Sequence, residues 1–308
     1  MRLSDRIGRS MKLHDLHVLM AVVQAGSMNK AAVLLDTTQP AVSKSIGELE
    51  RAVGVRLLDR NAQGVEPTAC GRALLDGGTA VFDELRQPVK NIDFLADPAA
   101  GEVRIGSTPS LTESFVAVVI ERLSRAYPRI GFHLVTALPS TLHRNLHERN
   151  VDLVIAGNAS PIADERLGFE FLLEDSYVIA AGAQCPWARR RRIELAELVN
   201  YSWVLPPSMA MEAFRARGLD YPRTTVVTES SQVRMTLLAT GRFVGIFRAS
   251  SLRFLTRLPE FKVLPIELPM ARVPVGIVTL KNRTLSPTAQ LFIEHAREVA
   301  KPWATRKS

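Results

Sequence analysis

Residues 25–54 contain two short helical patterns separated by a turn, and the second pattern constrains the fold most strongly. With a step of about 100° per residue, Val42, Ile46, Leu49 and Val53 fall on one side of a helix. The opposite side carries small, polar or cationic residues, namely Pro40, Ser43, Lys44, Gly47 and Arg51. Such a helix packs along one edge and leaves the other edge bare.

The flanking residues predict where these helices begin and end. Ser27 is a suitable N-cap for a helix over 28–35, because its hydroxyl can accept from free first-turn amides. Thr38 is a suitable cap for the second helix, Pro40 suits its first turn, and Gly54 suits its end. The segment therefore predicts a helix-turn-helix.

The bare side of the second helix suits a DNA groove. Short side chains let a helix lie deep in the major groove, and cations beside them reach phosphates. Gln39, at the helix N-terminus, is placed to bond a base edge or a phosphate. The alternative is an ordinary helical hairpin with a solvated face. Geometry alone favours this hairpin and a DNA-binding helix equally.

The next segment favours DNA binding. Residues 56–60 and 65–68 flank Asn61-Ala-Gln-Gly64, which predicts a β-hairpin with turn residues at its tip. A basic hairpin after a helix-turn-helix is a winged arrangement, in which Arg60 is placed to hold a backbone phosphate. The predicted DNA contacts are Ser27, Thr38, Gln39, Pro40, Ser43, Lys44, Arg51 and Arg60.

These residues resemble the LysR-type transcriptional regulators, and the resemblance extends from about Met11 to about Trp303. The matching positions are Leu16, Ala25-Gly-Ser27, Ala31-Ala32, Leu35, Gln39-Pro-Ala-Val-Ser43, Ile46, Leu49-Glu50, Gly54, Leu57, Arg60, Pro67-Thr68 and Gly71. Leu58 departs from the family pattern, which usually has Phe there, so we expect slightly different packing of the wing.

The resemblance implies a fold that is α/β overall. It has an N-terminal winged helix-turn-helix, a long linker helix that dimerises, and a C-terminal two-lobed α/β effector domain of the type 2 periplasmic-binding-protein kind. The predicted domains are 12–70 for DNA binding, 71–98 for the linker and 101–308 for the effector domain. Lobe I is expected over about 101–170 and 270–300, and lobe II over about 171–268.

Composition sets broader limits. The net charge of +8 favours a polyanionic partner, although residues 1–70 hold only nine Lys or Arg against seven Asp or Glu. The basic run 189–192 is interpreted as a solvated surface cluster rather than a second DNA site.

No apolar run approaches the ~20 residues of a membrane span, and the N-terminus does not resemble a signal peptide, so we expect a cytoplasmic protein. Cys70 and Cys185 give no disulfide framework and are expected to be reduced.

The linker segment from Ala69 to about Leu95 has helical periodicity. Its apolar steps of three and four residues, which include Gly78, predict a dimer seam of Leu75, Phe82, Leu85, Val89 and Ile92. The same spacing permits a helix that packs on its own domain. Pro88 is expected to kink the helix or break it near Leu85. Residues 97–101 are expected to form a hinge.

After Gly101 the pattern alternates between strands and helices. Strands are predicted at 103–106, 132–135 and 151–155, with helices over 113–127 and 140–149 between them. This order implies a parallel sheet. Second-lobe strands are predicted at 177–181, 203–205, 225–228 and 244–247, and the strand 273–280 and the helix 286–299 are expected to return to the first lobe.

Ligands of such sheets bind beyond the carboxyl ends of the strands, where Ser107-Thr-Pro-Ser110 lies. Hydroxyls and amides at a helix start suit a carboxylate, although the residues alone favour simple capping. The resemblance implies effector binding there and in the interlobe cleft. The predicted effector-binding residues are Ser107, Thr108, Ser110, Leu138, Pro139, Asn158, Pro206, Ser208, Ser230 and Phe247. Glu229 and Ser231 adjoin this set.

No metal, cofactor or catalytic site is expected. His143 and His147 have i, i+4 spacing, but Arg144 replaces the Glu of the metalloprotease pattern, so an exposed polar face is the better interpretation. Phosphate loops and nucleophile elbows are absent from the sequence. A solute-binding protein and an enzyme with an appended DNA-binding domain are the alternative functions.

The sequence therefore predicts a regulator that binds promoter DNA as a homodimer or homotetramer. A small-molecule effector, a carboxylate or a sugar, would close the cleft, change the angle between DNA-binding pairs and alter contact with RNA polymerase.

Overall fold

A computed structural model describes most of the chain. The described residues are 10–61, 64–157, 163–207, 212–215, 218–222, 224–254, 261–268 and 272–304. The chain forms two compact units, and the boundary between them in sequence lies between Pro88 and Val89. Within the described ranges, no helix is both long and apolar enough to cross a bilayer.

The first unit is a three-helix core followed by a hairpin and a long helix. Its elements are α1 (Leu13–Ala25), α2 (Met28–Leu34), α3 (Gln39–Val53), β1 (Leu58–Asn61), β2 (Gly64–Pro67) and α4 (Ala69–Ala96). The predicted helix-turn-helix and hairpin are confirmed, and β1 pairs with β2 antiparallel. Gly54 ends α3 in the left-handed region, with φ 79°.

Ser27 and Thr38 are the N-cap residues of α2 and α3, as predicted, but the expected side-chain hydrogen bonds are wrong. Neither the Ser27 nor the Thr38 side chain makes a cap hydrogen bond. Their carbonyls instead accept the first helical bonds, from Ala31 to Ser27 at 2.9 Å and from Val42 to Thr38 at 3.1 Å. Backbone bonding alone therefore starts both helices.

Two polar side chains attach the hairpin to its neighbours. The Glu50 carboxylate accepts a hydrogen bond from the Leu57 amide at 2.8 Å, just before β1. The Thr68 hydroxyl accepts from the Gly71 amide at 3.0 Å and donates to the Arg56 carbonyl at 2.9 Å. Thr68 thus caps α4 and holds its first turn against the chain that leads into β1.

Helix α4 runs for 28 residues and includes Pro88, so of the two expectations the break near Leu85 is wrong, and the kink stays a prediction. Proline costs the helix one backbone hydrogen bond, and the turns on either side of exposed Pro88 continue. The first half of α4 packs on its own unit, because Leu16 lies directly over Gly78 and the rings of His17 and Phe82 are 5.6 Å apart.

The second unit alternates strands and helices. Its elements are β3 (Ala100–Ser107), α5 (Pro109–Leu111), α6 (Ala117–Ala126), β4 (Arg129–Thr136), α7 (Pro139–His147), β5 (Leu153–Gly157), β6 (Leu167–Asp175), β7 (Tyr177–Gly182), β8 (Ser202–Leu205), α8 (Glu212–Arg215), β9 (Thr224–Val227), α9 (Ser231–Ala239), β10 (Val244–Arg248), α10 (Ala249–Phe254), β11 (Phe261–Val263), β12 (Val273–Leu280) and α11 (Pro287–Ala304). A π-helical turn, Thr112–Val116, joins α5 to α6.

These strands form two five-stranded sheets, one in each lobe. The first lobe has the order β4-β3-β5-β12-β6, in which β3 is parallel to β4 and β5, and β12 is antiparallel to both neighbours. The second lobe has the order β11-β7-β10-β8-β9. The predicted parallel strands and the return of β12 to the first lobe are confirmed. The sequence did not predict β6 and β11.

A buried ion cluster stabilises the first lobe. Asp152 is bound by Arg104 Nη2 and by Arg283 Nη2, each at 2.8 Å. Arg283 also donates to the Val151 carbonyl at 2.6 Å. Despite burial, which alone raises it, the pKa of Asp152 is lowered by hydrogen bonds from Arg104. Each charge in this cluster is therefore paired, as burial requires.

We expect Gly71→Ala to destabilise the protein by about 1–3 kcal/mol through steric overlap. A Cβ on Gly71 would lie 2.0 Å from the Leu57 carbonyl oxygen. Gly77, on the same helix, has open space around it, so Gly77→Ala should stabilise by about 0.5–1 kcal/mol. Urea unfolding of both variants measures these changes. Equal effects would show that the contact between α4 and Leu57 is not a constraint.

Candidate functional sites

Helix α3 has one buried edge and one accessible edge. Val42, Ile46, Leu49 and Val53 are buried in the core formed with α1 and α2. The opposite edge is not covered by the chain's own interior: Lys44 and Arg51 are exposed, and Ser43 and Gly47 are partly exposed. Thr38, Gln39 and Pro40 are also exposed at the helix N-terminus. The predicted division of the helix is confirmed.

Gly47 has no packing role within the described part of the first unit. A Cβ placed on it meets no heavy atom within 4 Å. Glycine in a helix interior costs roughly 0.5–1 kcal/mol relative to alanine. The Arg51 side chain donates from Nε to the Gly47 carbonyl at 3.1 Å. The accessible edge therefore has a shallow centre with Lys44 and Arg51 on either side.

The hairpin lies against the turn between α1 and α2. The Val65 amide donates to the Gly26 carbonyl at 3.1 Å. A Cβ on Gly64 would lie 2.7 Å from that carbonyl oxygen, and the φ of Gly64 is 141°, so glycine is required there. Ser27, adjacent to this contact, is half-buried. Arg60 lies in β1 opposite Val65, and its side chain is outside the described set.

The predicted dimer seam divides into two parts. Leu75 and Phe82 pack on the core of the first unit, which is the alternative that the spacing left open. Leu85, Val89 and Ile92 are 47%, 56% and 64% exposed. Among the predicted seam residues, only those in the second half of α4 are therefore uncovered.

A cavity of about 250 Å³ lies between the two lobes of the second unit. Six of the ten predicted effector-binding residues line it, namely Thr108, Ser110, Leu138, Pro139, Pro206 and Phe247. Glu229 and Ser231 also line it. Asn158 and Ser208 lie outside the described residues.

Ser107 and Ser230 have structural roles instead of lining this cavity. The buried Ser107 hydroxyl donates to the Ile155 carbonyl at 2.9 Å. Ser230 caps α9, and its hydroxyl accepts from the Val233 amide at 3.3 Å. Thr108 makes no side-chain cap, contrary to the capping alternative, and its buried Oγ1 lacks a partner among the described residues.

Sequence reasoning missed the charged residues of the cavity. Arg234 on α9, Arg248 at the end of β10 and Glu113 in the π-helical turn all line it. Arg234 follows the buried face of α9, three residues after Ser231 and four before Leu238. A cation at a buried helical position was the signal available in the sequence.

Arg248 pairs with Asp175, at the place where the chain passes from the first lobe to the second. Its Nη1 lies 3.7 Å from the carboxylate of Asp175, and its guanidinium carbon lies 4.9 Å from the ring centre of Tyr177. The buried Asp175 also accepts from the Ser250 hydroxyl at 2.6 Å and from the Ser176 amide at 3.0 Å. A Cβ on Gly157 would lie 3.0 Å from Arg248 Nη2, so glycine permits this approach.

His143 and His147 are half-buried, so the expected exposed face is wrong. His147 Nε2 lies 2.8 Å from the Asp164 carboxylate, which links the end of α7 to the segment before β6. Burial and the neighbouring His147 lower the pKa of His143, while Asp164 opposes this shift. The described residues contain no group of three or more His, Cys, Asp or Glu that is arranged to hold a metal.

The basic run 189–192 and the two cysteines are as the sequence predicts. Arg189 to Arg192 are all exposed, as expected of a solvated cluster. Cys70 and Cys185 are both free thiols, the first exposed and the second buried.

Comparison with known families covers both units. Residues 13–72 match the model of the bacterial regulatory helix-turn-helix protein, lysR family, and residues 96–301 match the LysR substrate binding domain. The chain belongs to the LysR family. It is a transcriptional regulator with a DNA-binding helix-turn-helix and an effector-binding domain.

Relatives and solved structures agree with this LysR-family assignment. The chain is 28% identical to the transcriptional dual regulator GltC of Bacillus subtilis over 92% of this chain and 96% of GltC. It is 24% identical to the regulator GbpR of Azospirillum brasilense over 93% of this chain and 86% of GbpR.

Two structures illustrate the shared fold. A full-length variant of OxyR from Pseudomonas aeruginosa has a TM-score of 0.68 at 19% identity, and the match covers 97% of this chain and 99% of the OxyR chain. Full-length CbnR in complex with its target DNA has a TM-score of 0.53 at 22% identity, with 94% and 100% covered.

In this LysR-family protein we expect Asp175→Asn to destabilise the second unit by about 3–5 kcal/mol, because it leaves the Arg248 charge buried and unpaired. Glu174→Gln on the same strand removes an exposed pair with Arg272 and should cost about 0–1 kcal/mol. Calorimetric unfolding compares the two variants. A loss for Asp175→Asn no larger than that for Glu174→Gln would contradict this account of the crossing.

Proposed function

We propose that α3 reads promoter DNA through its accessible edge while the hairpin contacts the flanking backbone. The support is the exposed edge of α3, which offers short side chains at its centre and cations beside them. Gln39 and Ser43 are assigned to base edges, and Lys44, Arg51 and Arg60 to phosphates. Ser27, Thr38 and Pro40 complete the interface at the N-termini of α2 and α3.

We propose further that the interlobe cavity binds the effector, a small carboxylate or a sugar. The residues assigned to it are Thr108, Ser110, Leu138, Pro139, Pro206 and Phe247, which line the cavity. Asn158 and Ser208 stay predictions. For Ser107 and Ser230 an indirect role is assigned, because their hydroxyls are already bonded within the protein. Ligand binding closes the cleft, changes the angle between paired DNA-binding units and alters contact with RNA polymerase.

The proposed assembly is a homodimer, or a homotetramer built from two such dimers, acting in the cytoplasm, where promoter DNA lies. A two-fold dimer matches palindromic operators. Leu85, Val89 and Ile92 supply its seam, since their apolar side chains are exposed in the single chain. Because the relatives are named as transcriptional regulators, no catalytic activity is assigned.

The accessible edge of α3 is the observation that carries this proposal, and Ser43 and Gly47 test it. We expect Ser43→Ala to reduce discrimination between operator and random DNA by about 1–3 kcal/mol, the value of a good base contact. Gly47→Ala should raise unfolding stability by roughly 0.5–1 kcal/mol and yet weaken operator binding, because the added methyl keeps the helix out of the groove.

Fluorescence anisotropy with an operator selected from a random-sequence DNA pool measures both effects. Val33→Ala, an exposed change on α2, is the matched control. If discrimination is unchanged in Ser43→Ala and affinity is unchanged in Gly47→Ala, α3 does not enter the groove as proposed.

The seam is tested by Ile92→Asp. A carboxylate buried against a second copy of α4 is strongly disfavoured, so we expect this variant to dissociate into monomers. Val33→Asp places the same charge at a residue that is 82% exposed and should leave the assembly unchanged. Light scattering coupled to size exclusion reports the mass of each. A dimer for Ile92→Asp with an unchanged dissociation constant would rule out this seam.

A further inference from the structure

One carboxylate lies on the accessible edge of α3, beside the cations of that edge. Glu48 follows Lys44 by four residues, and a step of about 100° per residue places both away from the buried Val42. The Glu48 carboxylate lies 3.4 Å from Lys12 Nζ through Oε2 and 4.0 Å from Lys44 Nζ through Oε1. Lys12 belongs to a different segment, because it directly precedes α1. One acidic group therefore joins two cations from separate parts of the first unit.

A carboxylate on this surface opposes DNA binding unless DNA offers it a donor. Phosphates repel it, and the sequence-independent part of the affinity depends on the positive charge that faces the backbone. Exposed ion pairs also contribute little to folding stability, so stability alone gives Glu48 no reason to lie on this edge. Its position is better explained by a contact that the carboxylate itself makes with DNA.

The two lysines hold the carboxylate in place and leave part of it accessible. The Glu48 side chain is 30% exposed, whereas those of Lys12 and Lys44 are 70% and 75% exposed. Lys12 donates a hydrogen bond to Oε2, and Lys44 is near enough to Oε1 for a charge interaction alone. Because a carboxylate has about four acceptor positions, Glu48 can still accept from a donor group on DNA. The ammonium groups beside it offset the repulsion from phosphates.

The neighbouring glycine lets DNA come close to this position. Gly47 presents no side chain, and a Cβ placed there meets no heavy atom within 4 Å. The donors that DNA presents in the major groove are the amino groups of cytosine and adenine, whereas guanine and thymine present acceptors. The adenine amino group lies beside the acceptor N7, which repels a carboxylate. Cytosine N4 is therefore the donor that suits Glu48 best.

We propose that Glu48 determines specificity by accepting a hydrogen bond from the N4 amino group of a cytosine in the operator. Lys12 and Lys44 are positioning residues for its carboxylate, and Lys44 contacts a phosphate as well. This inference rests on the proposed function, in which α3 enters the major groove. The same carboxylate discriminates against guanine and thymine, because their acceptor atoms repel it.

The first test is the selection of operators from a random-sequence duplex pool by the full-length protein and its variants. We expect the wild-type protein to prefer a C·G pair at one position of each half-site by about 5-fold to 150-fold, the discrimination of a good base contact. Glu48→Gln should move this preference to A·T, because glutamine pairs with adenine N6 and N7. Glu48→Ala should abolish it. Glu174→Gln, which removes a carboxylate 3.5 Å from Arg272 in the second unit, is the matched control and should leave the preference unchanged.

The second test separates the positioning role of Lys12 from a simple phosphate contact. Lys12→Ala should reduce the preference for cytosine, and Lys12→Arg should restore most of it, because arginine also donates to a carboxylate. Lys262→Ala, at an exposed position of the second unit, is the control. A phosphate contact alone predicts equal weakening on all sequences, with a loss of about 0.9 per DNA-binding unit in the slope of log affinity against log salt concentration. That result, with the cytosine preference intact, would overturn the role of Lys12.

Two results would overturn the assignment of Glu48. One is the same base preference in the wild-type protein, Glu48→Gln and Glu48→Ala. The other is an equal rise in affinity for operator and random DNA in both variants, which would show that the carboxylate only repels phosphates. If the wild-type protein selects an operator normally, either result contradicts the Glu48 assignment alone. Failure of the wild-type protein to select any operator contradicts the proposed function itself.

Discussion

The cleft of the second unit depends on one buried carboxylate, Asp175. It lies where β6 ends and the chain enters the second lobe, and it is paired in register with Val273, where β12 begins in the first lobe. Both passages between the lobes therefore lie beside it. By accepting from Ser250 and Ser176 and pairing with Arg248, Asp175 fixes the start of α10 and places one arginine of the cavity. Because Arg248 pairs with Asp175, its charge belongs to the framework of the cavity.

The first unit follows the same rule, in which buried contacts determine what is left accessible. The apolar edge of α3 is buried against α1 and α2, and the edge with Ser43 and Lys44 remains accessible. Helix α4 divides along its length. Gly78 packs directly against Leu16, whereas the apolar side chains from Leu85 onward are exposed among the residues that the structure describes. Glycines mark the tight points of this unit, since the contacts at Gly64 and Gly71 leave no room for a Cβ.

Periodicity in the sequence was sufficient for the elements whose burial is one-sided. The division of α3 and the strands of the first lobe follow from steps of 3.6 or 2 residues. The return of β12 to the first lobe was expected from the resemblance to the LysR family. Local rules failed where tertiary contacts decide. Pro88 does not break α4, the Thr38 and Ser27 side chains do not cap their helices, and Ser107 bonds Ile155 instead of facing the cavity. Arg234 was missed because an arginine within a helical pattern is ordinarily solvent-exposed, although its position on the buried face of α9 was a signal in the sequence.

Unsatisfied polar atoms have a different meaning in the two parts of the second unit. In the first lobe Asp152 is bound by two arginines, so its burial stabilises a fixed arrangement of β3, β5 and the segment after β12. Thr108 and Arg234 line a cavity instead, and each leaves a buried donor atom unmatched within the described chain. Arg104 Nε and Arg248 Nη1 also lack a hydrogen-bond partner among the described residues, although each of these arginines pairs with a carboxylate. The unmatched donors of Thr108, Arg234 and Arg248 all line one cavity, which is the arrangement that the proposed effector site requires.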